Sequence, residues 1–164
     1  MLQNRWNKFY LILFSIFFLL ISPKVKGDER KIVNPDNGNE YLLTDVMSWQ
    51  EARVLAEKLG GYLVTINDEK ENQWLINTFL HHDTDFVWIG INDYQEEGHF
   101  IWINNENVPY TNWASGEPNN NLLQGGEDYG VINGGKNPFN RTVGTWSDAP
   151  EKARLRGIIE FTIN

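Results

Sequence analysis

Apolar residues recur at helical spacing in two segments of the first half of the chain. The first segment, residues 48–59, opens with the capping-box pair Ser48 and Glu51 and is followed by Gly60 and Gly61, which favour a helix end. Its apolar positions are Trp49, Ala52, Leu55, Ala56 and Leu59. Because these positions lie three or four residues apart, we predict an amphipathic helix over residues 48–59.

A second helix is predicted after a β-branched, apolar run at residues 62–66. Acidic residues between 68 and 71 suit the positively polarised first turn of a helix. The positions expected to face inward are Trp74, Leu75 and Phe79. Beyond His81 the apolar residues fall into short runs separated by Gly, Asn and Pro, so we expect strands there and no third helix.

Short apolar runs separated by Gly, Asn and Pro indicate strands. The candidates are residues 41–43, 62–66, 87–91, 100–103, 129–132 and 157–163. Residues 104–128 form a long polar stretch, and a loop of that length is uncommon in a compact domain unless it is functional. Residues 146–148 are expected in a later turn. We predict an α+β fold with two helices and several short antiparallel strands.

The N-terminal segment has the order of a cleavable signal peptide. Arg5 and Lys8 precede an apolar run at residues 9–21, which is shorter than the ~20 residues of a spanning helix. We expect a signal peptide at 1–27, a polar lead-in segment at 28–40 and one domain at 41–164. The expected location is secreted or extracytoplasmic, in a periplasm or at a cell surface; an uncleaved membrane anchor is the alternative.

Net charge and cysteine content limit the partners that the protein can bind and the ways in which its fold can be stabilised. The formal net charge is −8, which argues against nucleic acid or an anionic membrane as a partner. The acidic residues either form a solvated surface or bind a hard cation such as calcium. The chain has no cysteine but 13% aromatic residues, including seven Trp, so we expect a core that is stable without disulfides. Sugar stacking is the alternative role for these Trp side chains.

Oxygen-bearing side chains concentrate in the long loop and in the later turn. Glu117, Asn119, Glu127 and Asp148 offer carboxylate and amide oxygens, which calcium accepts in irregular geometry. The absence of cysteine, and of histidine within these motifs, disfavours zinc or copper. We therefore predict a calcium site.

The order of the motifs resembles the C-type lectin domain family over nearly the whole predicted mature chain. The motifs are the helix with Trp49 and Gly60-Gly61, Trp88-Ile89-Gly90-Ile91, Tyr110-Thr111-Asn112-Trp113, Glu117-Pro118-Asn119, Gly126-Glu127-Asp128, Trp146-Ser147-Asp148 and Ile159-Glu160-Phe161. The resemblance implies a double-loop fold in which the long loop and an adjoining strand hold calcium, and calcium holds a sugar.

The resemblance also assigns individual residues. Glu117, Asn119, Glu127 and Asp148 match the principal calcium ligands, and the first three would also bind the sugar. The Glu117–Pro118 bond is expected to be cis, as is typical of the family. The Glu-Pro-Asn order resembles mannose-type members, which favour equatorial hydroxyls of mannose or glucose. The positions that match a weaker, auxiliary calcium site are Asp93, Glu97, Asn120 and Asp128.

Several departures from the family pattern keep other functions open. Ser147 stands where the family has Asn, and a hydroxyl or water would have to replace that amide ligand. The segment at residues 120–126 is longer than usual. The family's disulfide positions correspond to Ala56 with Ile159 and to Tyr129 with Glu151, and such a cysteine-free chain is expected from bacterial export.

Two alternatives to sugar binding follow. The first is a domain of the same fold that binds a protein or another surface, with calcium structural or absent. The second is a glycosidase that uses Glu117 and Glu127. We expect no enzyme activity, because calcium would keep both carboxylates ionised whereas a general acid must hold a proton.

Overall fold

The computed structural model describes residues 30–81 and 86–163 of the 164-residue chain. The predicted signal peptide at 1–27 lies outside these residues. Within the described part, no helix is both long and apolar enough to cross a membrane.

The described residues contain two α-helices, eight short strands and one single-turn 3-10 helix. In chain order they are β1 (Ile32–Val33), β2 (Glu40–Leu43), α1 (Trp49–Leu59), β3 (Tyr62–Leu63), α2 (Glu69–Phe79), β4 (Phe86–Asn92), β5 (Ile101–Trp102), the 3-10 helix (Leu122–Gln124), β6 (Tyr129–Asn133), β7 (Trp146–Ala149) and β8 (Arg156–Phe161). The predicted α+β class with two helices is confirmed.

The strands form one sheet with the order β1-β2-β8-β4-β6-β7, to which β3 adds beside β8 and β5 beside β4. Strand β2 near the start of the domain pairs antiparallel with the C-terminal strand β8, with Tyr41 opposite Glu160. The predicted antiparallel pairing holds for the other strand pairs, and one pair differs. Strands β4 and β8 are parallel, with Trp88 opposite Gly157, so the sheet is mixed.

Both helices begin where their capping residues predict. The Ser48 side chain accepts a hydrogen bond from the Glu51 backbone N–H, and the Glu51 side chain accepts one from the Ser48 backbone N–H. Gly60 ends α1 with φ 82°, a left-handed conformation that glycine adopts without steric cost. Asp68 caps α2 through the Glu71 N–H. The indole of Trp49 fixes α1 on the sheet by donating to the Ile89 carbonyl at 2.8 Å.

Three strand assignments differ from the prediction. The lead-in segment contains β1, which pairs with β2 although the sequence shows no periodicity there. The run at residues 62–66 is a strand only at Tyr62–Leu63. Residues 146–148, expected in a turn, belong to β7, which pairs along its length with β6. The reason is tertiary, because the hydrogen bonds that make β7 a strand come from β6.

The core contains most of the tryptophan side chains. Trp49, Trp88, Trp102 and Trp146 are fully buried, whereas Trp113 is half-buried and packs against the core. The core role predicted for the Trp side chains on strands therefore fits better than sugar stacking. Ala56 and Ile159, at one predicted disulfide position, belong to the same buried apolar cluster. Simple packing replaces a covalent link there.

Candidate functional site

The long loop is fastened to the start of β7. The backbone N–H of Ala114 donates to the Trp146 carbonyl at 2.8 Å, and the Trp146 N–H donates to the Asn112 carbonyl at 2.7 Å. The Trp113 and Trp146 rings also pack edge to face, with centroids 5.8 Å apart. These contacts place residues 117–121 beside the end of β7.

Asp148 organises the turn of the long loop. Its carboxylate accepts the backbone N–H of Asn119 at 3.0 and 3.1 Å and that of Asn120 at 2.7 Å. Asp148 is buried, so the two backbone donors stabilise its charge where water does not reach freely. A side chain on β7 thus sets the conformation of the segment that carries Glu117 and Asn119.

Glu117 lies at the centre of the group. The Asn119 side-chain amide donates to Glu117 Oε1 at 2.6 Å, and the Arg141 guanidinium contacts the same oxygen. The Glu117 side chain is only 3% exposed, and its Oε2 has no hydrogen-bond partner within the described part of the chain. The Glu117–Pro118 peptide bond is cis, as expected.

Glu127 joins the group through the backbone rather than through Glu117. Glu127 Oε2 accepts the Asn121 N–H at 3.1 Å, and the Glu127 N–H donates to Asn120 Oδ1 at 2.9 Å. Glu127 is buried, and its carboxyl interacts electrostatically with the charge of Asp148. Direct contacts therefore link Glu117, Asn119 and Asp148, whereas Glu127 is connected through Asn120 and Asn121.

Burial of these carboxyls shifts their protonation. Burial, together with the neighbouring Asp148 carboxyl, raises the pKa of Glu117 to about 7, although Arg141 and Asn119 oppose the shift. Burial also raises the pKa of Glu127, and the charge of Asp148 adds to that increase. Concentrated, partly desolvated negative charge of this kind is stabilised by a nearby cation.

The four residues predicted for the auxiliary site also lie close together. The Asn120 side-chain amide contacts Glu97 Oε2, and the Asp93 backbone N–H donates to the Asp128 carbonyl at 3.1 Å. Asp93 Oδ2 accepts the Gly98 N–H at 2.8 Å, whereas its buried Oδ1 has no hydrogen-bond partner among the described residues. Burial, opposed by the Gly98 hydrogen bond, raises the pKa of Asp93 to about 6, with Glu97 and Asp128 adding to the increase.

Ser147 does not replace the missing amide ligand. Its hydroxyl is buried and donates to Asn133 Oδ1 at 3.1 Å, at the end of β6. The Ser147 hydroxyl is therefore not directed at the loop in this structure, and replacement of the amide ligand by water stays a prediction. The geometry of β7 explains this, since successive side chains point to opposite faces of a strand.

The sequence analysis missed Arg141 as part of the site. The residue lies in the hairpin between β6 and β7, where its sequence neighbours show no binding motif. Its partner is 24 positions away. Only the pairing of β6 with β7 brings it to the long loop.

Glu117, Asn119, Glu127 and Asp148 offer the oxygen donors that calcium prefers, but their side chains do not converge on one point in this structure. The group contains carboxylates and an amide, and Glu117 Oε2 is a buried oxygen without a hydrogen-bond partner in the described part. Yet across residues 30–81 and 86–163, no three His, Cys, Asp or Glu side chains lie around one point in a way that would hold a metal. Hydrogen bonds within the protein and the Arg141 ion pair hold the carboxylates in this structure.

A second acidic cluster, made of residues outside the long loop and β7, was also missed. A polar cleft of about 310 Å³ is lined by residues between 34 and 39, by the start of α2 and by Glu160. The Tyr41 hydroxyl lies 2.7 Å from Glu71 Oε1 and 3.3 Å from Glu160 Oε1. Glu160 appeared in the sequence only as part of a strand motif.

Comparison with known proteins agrees with this architecture. A family model described as "Lectin C-type domain" matches residues 45–150. Lectin BRA-3 of Megabalanus rosa is 33% identical over 110 residues, which cover 66% of this chain and 61% of that protein. A perlucin-like protein of Mytilus galloprovincialis is 36% identical over 84 residues, or 49% of this chain and 53% of that protein. The matched segment thus spans about half to three fifths of these relatives.

A solved structure is similar over a larger share. The C-type carbohydrate-recognition domain of cow CD23, solved in the presence of a GlcNAc2Man3 oligosaccharide, superposes with a TM-score of 0.69 at 27% identity. The match covers 85% of this chain and 98% of that domain.

Two helices, a mixed sheet and a long anchored loop define a C-type lectin-like fold. The chain belongs to the C-type lectin domain family. The family consists of carbohydrate-binding, non-enzymatic domains that generally bind calcium, and the lectin relatives support carbohydrate binding in general terms. These relatives are eukaryotic, and the bacterial origin expected from the missing cysteines stays a prediction.

Proposed function

We propose that the protein is a secreted, calcium-dependent lectin that binds mannose- or glucose-type sugars at the long loop. One observation carries the proposal. The Asn119 side-chain amide donates a hydrogen bond to Glu117 Oε1 at 2.6 Å. Both residues lie in a segment whose conformation is set by Asp148 of β7. Two loop residues and one strand residue thus bring oxygen donors from distant parts of the sequence to one place.

The proposed binding is shared between ion and protein. Glu117, Asn119, Glu127 and Asp148 would hold calcium, which when bound supplies open coordination positions for two neighbouring sugar hydroxyls. The carboxylates of Glu117 and Glu127 accept hydrogen bonds from those hydroxyls, and the Asn119 amide donates one. Asp93, Glu97, Asn120 and Asp128 are proposed to hold an auxiliary ion. A single shallow contact of this type is weak, so binding to a glycosylated surface would depend on multivalency.

The mannose or glucose preference rests on the Glu-Pro-Asn order at residues 117–119. Glycan arrays probed with the protein, in calcium and in chelator, test it. The double variant Glu117→Gln with Asn119→Asp exchanges the acid and the amide and is expected to move binding towards galactose-type diols. The matched control is Glu57→Gln with Asn77→Asp, which makes the same exchange at exposed positions on α1 and α2. Unchanged binding by the site variant would contradict the assignment.

The alternative is a domain of this fold that binds a protein surface. Two observations favour it: Ser147 turns to Asn133 instead of the loop, and Arg141 already neutralises Glu117. A protein binder would ignore both mannose resin and chelator. A lectin would be retained on that resin with calcium and released by chelator.

We propose no catalytic role for Glu117 and Glu127. Glu117 pairs with Arg141, and Glu127 accepts a backbone N–H, so both carboxylates are engaged in holding the loop. In the calcium-bound form both would be ionised. In the calcium-free form both carboxyls contact protein groups, which leaves neither of them free to exchange a proton with a substrate.

A further inference from the structure

Arg141 holds the oxygen that the proposed calcium site needs. Its guanidinium contacts Glu117 Oε1, which already accepts the Asn119 amide at 2.6 Å. The Arg141 side chain is about one fifth exposed, so this ion pair is largely shielded from water and from salt. A guanidinium that close to Glu117 would also repel a divalent cation on the same carboxylate.

The hairpin between β6 and β7 presents Arg141 to the loop. The Asn137 side chain bonds both ends of the Arg141 backbone: its Oδ1 accepts the Arg141 N–H at 2.9 Å and its amide donates to the Arg141 carbonyl at 3.0 Å. The Phe139 ring lies under the guanidinium, 4.6 Å from its centroid to Cζ. The backbone position is therefore fixed, whereas the long side chain can exchange one partner for another.

We propose that Arg141 is a tethered cation that competes with calcium for Glu117, and so sets the calcium concentration at which the site is occupied. The inference rests on the proposed function of the long loop. In the calcium-free form the arginine keeps Glu117 and Asn119 assembled. Calcium binding requires the guanidinium to leave Glu117. The apparent dissociation constant for calcium is therefore the intrinsic constant divided by the fraction of molecules that are not arginine-paired.

Calorimetric titration of the full chain with calcium chloride tests the competition. Arg141→Met removes the charge but keeps an unbranched side chain over Phe139. The control Arg154→Met removes the same charge from an exposed ion pair with Glu51 on α1, and so accounts for the change in net charge. If nine tenths of the molecules are arginine-paired, Arg141→Met should bind calcium about tenfold more tightly than the control.

A second variant and a second measurement support the test. Arg141→Lys retains a cation without the planar fork of donors and is expected to give an intermediate affinity. In protein labelled with ¹⁵N-arginine, the Arg141 Nη2–H protons, which contact Glu117, should be protected from exchange in chelator and lose that protection on addition of calcium.

The outcomes separate the two proposals. Equal calcium affinities for Arg141→Met and Arg154→Met would overturn the competition and leave calcium binding intact. Calcium binding by Arg141→Met but not by the wild type would support the competition in its strongest form. Absence of calcium binding in the wild type and in every variant would overturn both the calcium dependence and the competition.

Discussion

Glu160 is a carboxyl enclosed by the sheet on β8. It accepts hydrogen bonds from the Asn39 amide at 2.8 Å and from the Thr65 N–H at 3.2 Å, with the Tyr41 hydroxyl at 3.3 Å. These donors do not offset its burial. Burial, reinforced by the negative charge of Glu71, raises the pKa of Glu160 to about 7.

This shift predicts a protein that is less stable at alkaline pH. A glutamate in the unfolded chain titrates near 4.5, so the native state binds more protons than the unfolded state between pH 4.5 and 7. The stabilisation is therefore fully present below pH 4.5 and is lost as pH rises to 7 and above. The loss in free energy of unfolding amounts to about 3 kcal/mol at 1.36 kcal/mol per pH unit.

Denaturant unfolding in chelator at pH 5 and pH 8 measures this difference. Glu160→Gln should reduce it, whereas Glu57→Gln at an exposed position of α1 should leave it unchanged. Wild-type stability that rises from pH 5 to pH 8 would contradict the assignment.

For individual residues, the sequence predicts which side chains supply oxygen ligands but not which residues they contact. Glu117 and Asn119 are recognisable because two residues of one short motif stay close in any fold, and the structure does bring Asp148 to them. Ser147 and Arg141 are not predictable in the same way. Their contacts depend on which face of β7 is buried and on where the hairpin lies, and neither follows from local sequence.

Among the elements, α1 depends on its first turn. Ser48 and Glu51 satisfy two backbone N–H groups that have no partner within the helix. Ser48→Ala leaves one of these donors unpaired and should lower the free energy of unfolding by about 1 kcal/mol. Ser115→Ala, at an exposed position of the long loop, is the control in the same denaturant experiment. Equal stability of the two variants would show that the cap is not needed.

Helices and strands differ in how far the sequence predicts them. Both helices follow from caps and from one apolar face, which are local signals. Strands β1 and β7 follow from pairing with β2 and β6, so their two to four residues carry little signal of their own. The parallel contact of β4 with β8 is likewise invisible in either segment.

For the whole molecule, calcium is expected to act as a folding ligand. The proposed ligands come from the long loop and from β7, and unfolding separates them, so an ion held by them binds the native state alone. At a hundredfold excess over its dissociation constant, such an ion stabilises by about 2.7 kcal/mol. In a domain of this size the melting temperature should rise by roughly 5–10 °C.

Thermal melts of the wild type, of Glu127→Gln and of the control Glu57→Gln, each with calcium and with chelator, measure this coupling. Glu127→Gln removes a proposed ligand charge but keeps an oxygen that can accept the Asn121 N–H, so the calcium-free fold should survive while most of the calcium-induced rise is lost. The control should keep the full rise, because Glu57 is exposed on α1 and contacts Arg53 rather than the loop. Superimposable wild-type melts in calcium and chelator would mean that calcium does not bind the native state at these concentrations. The Arg141 ion pair would then be the permanent neutralisation of Glu117, and the protein-binding alternative would be favoured.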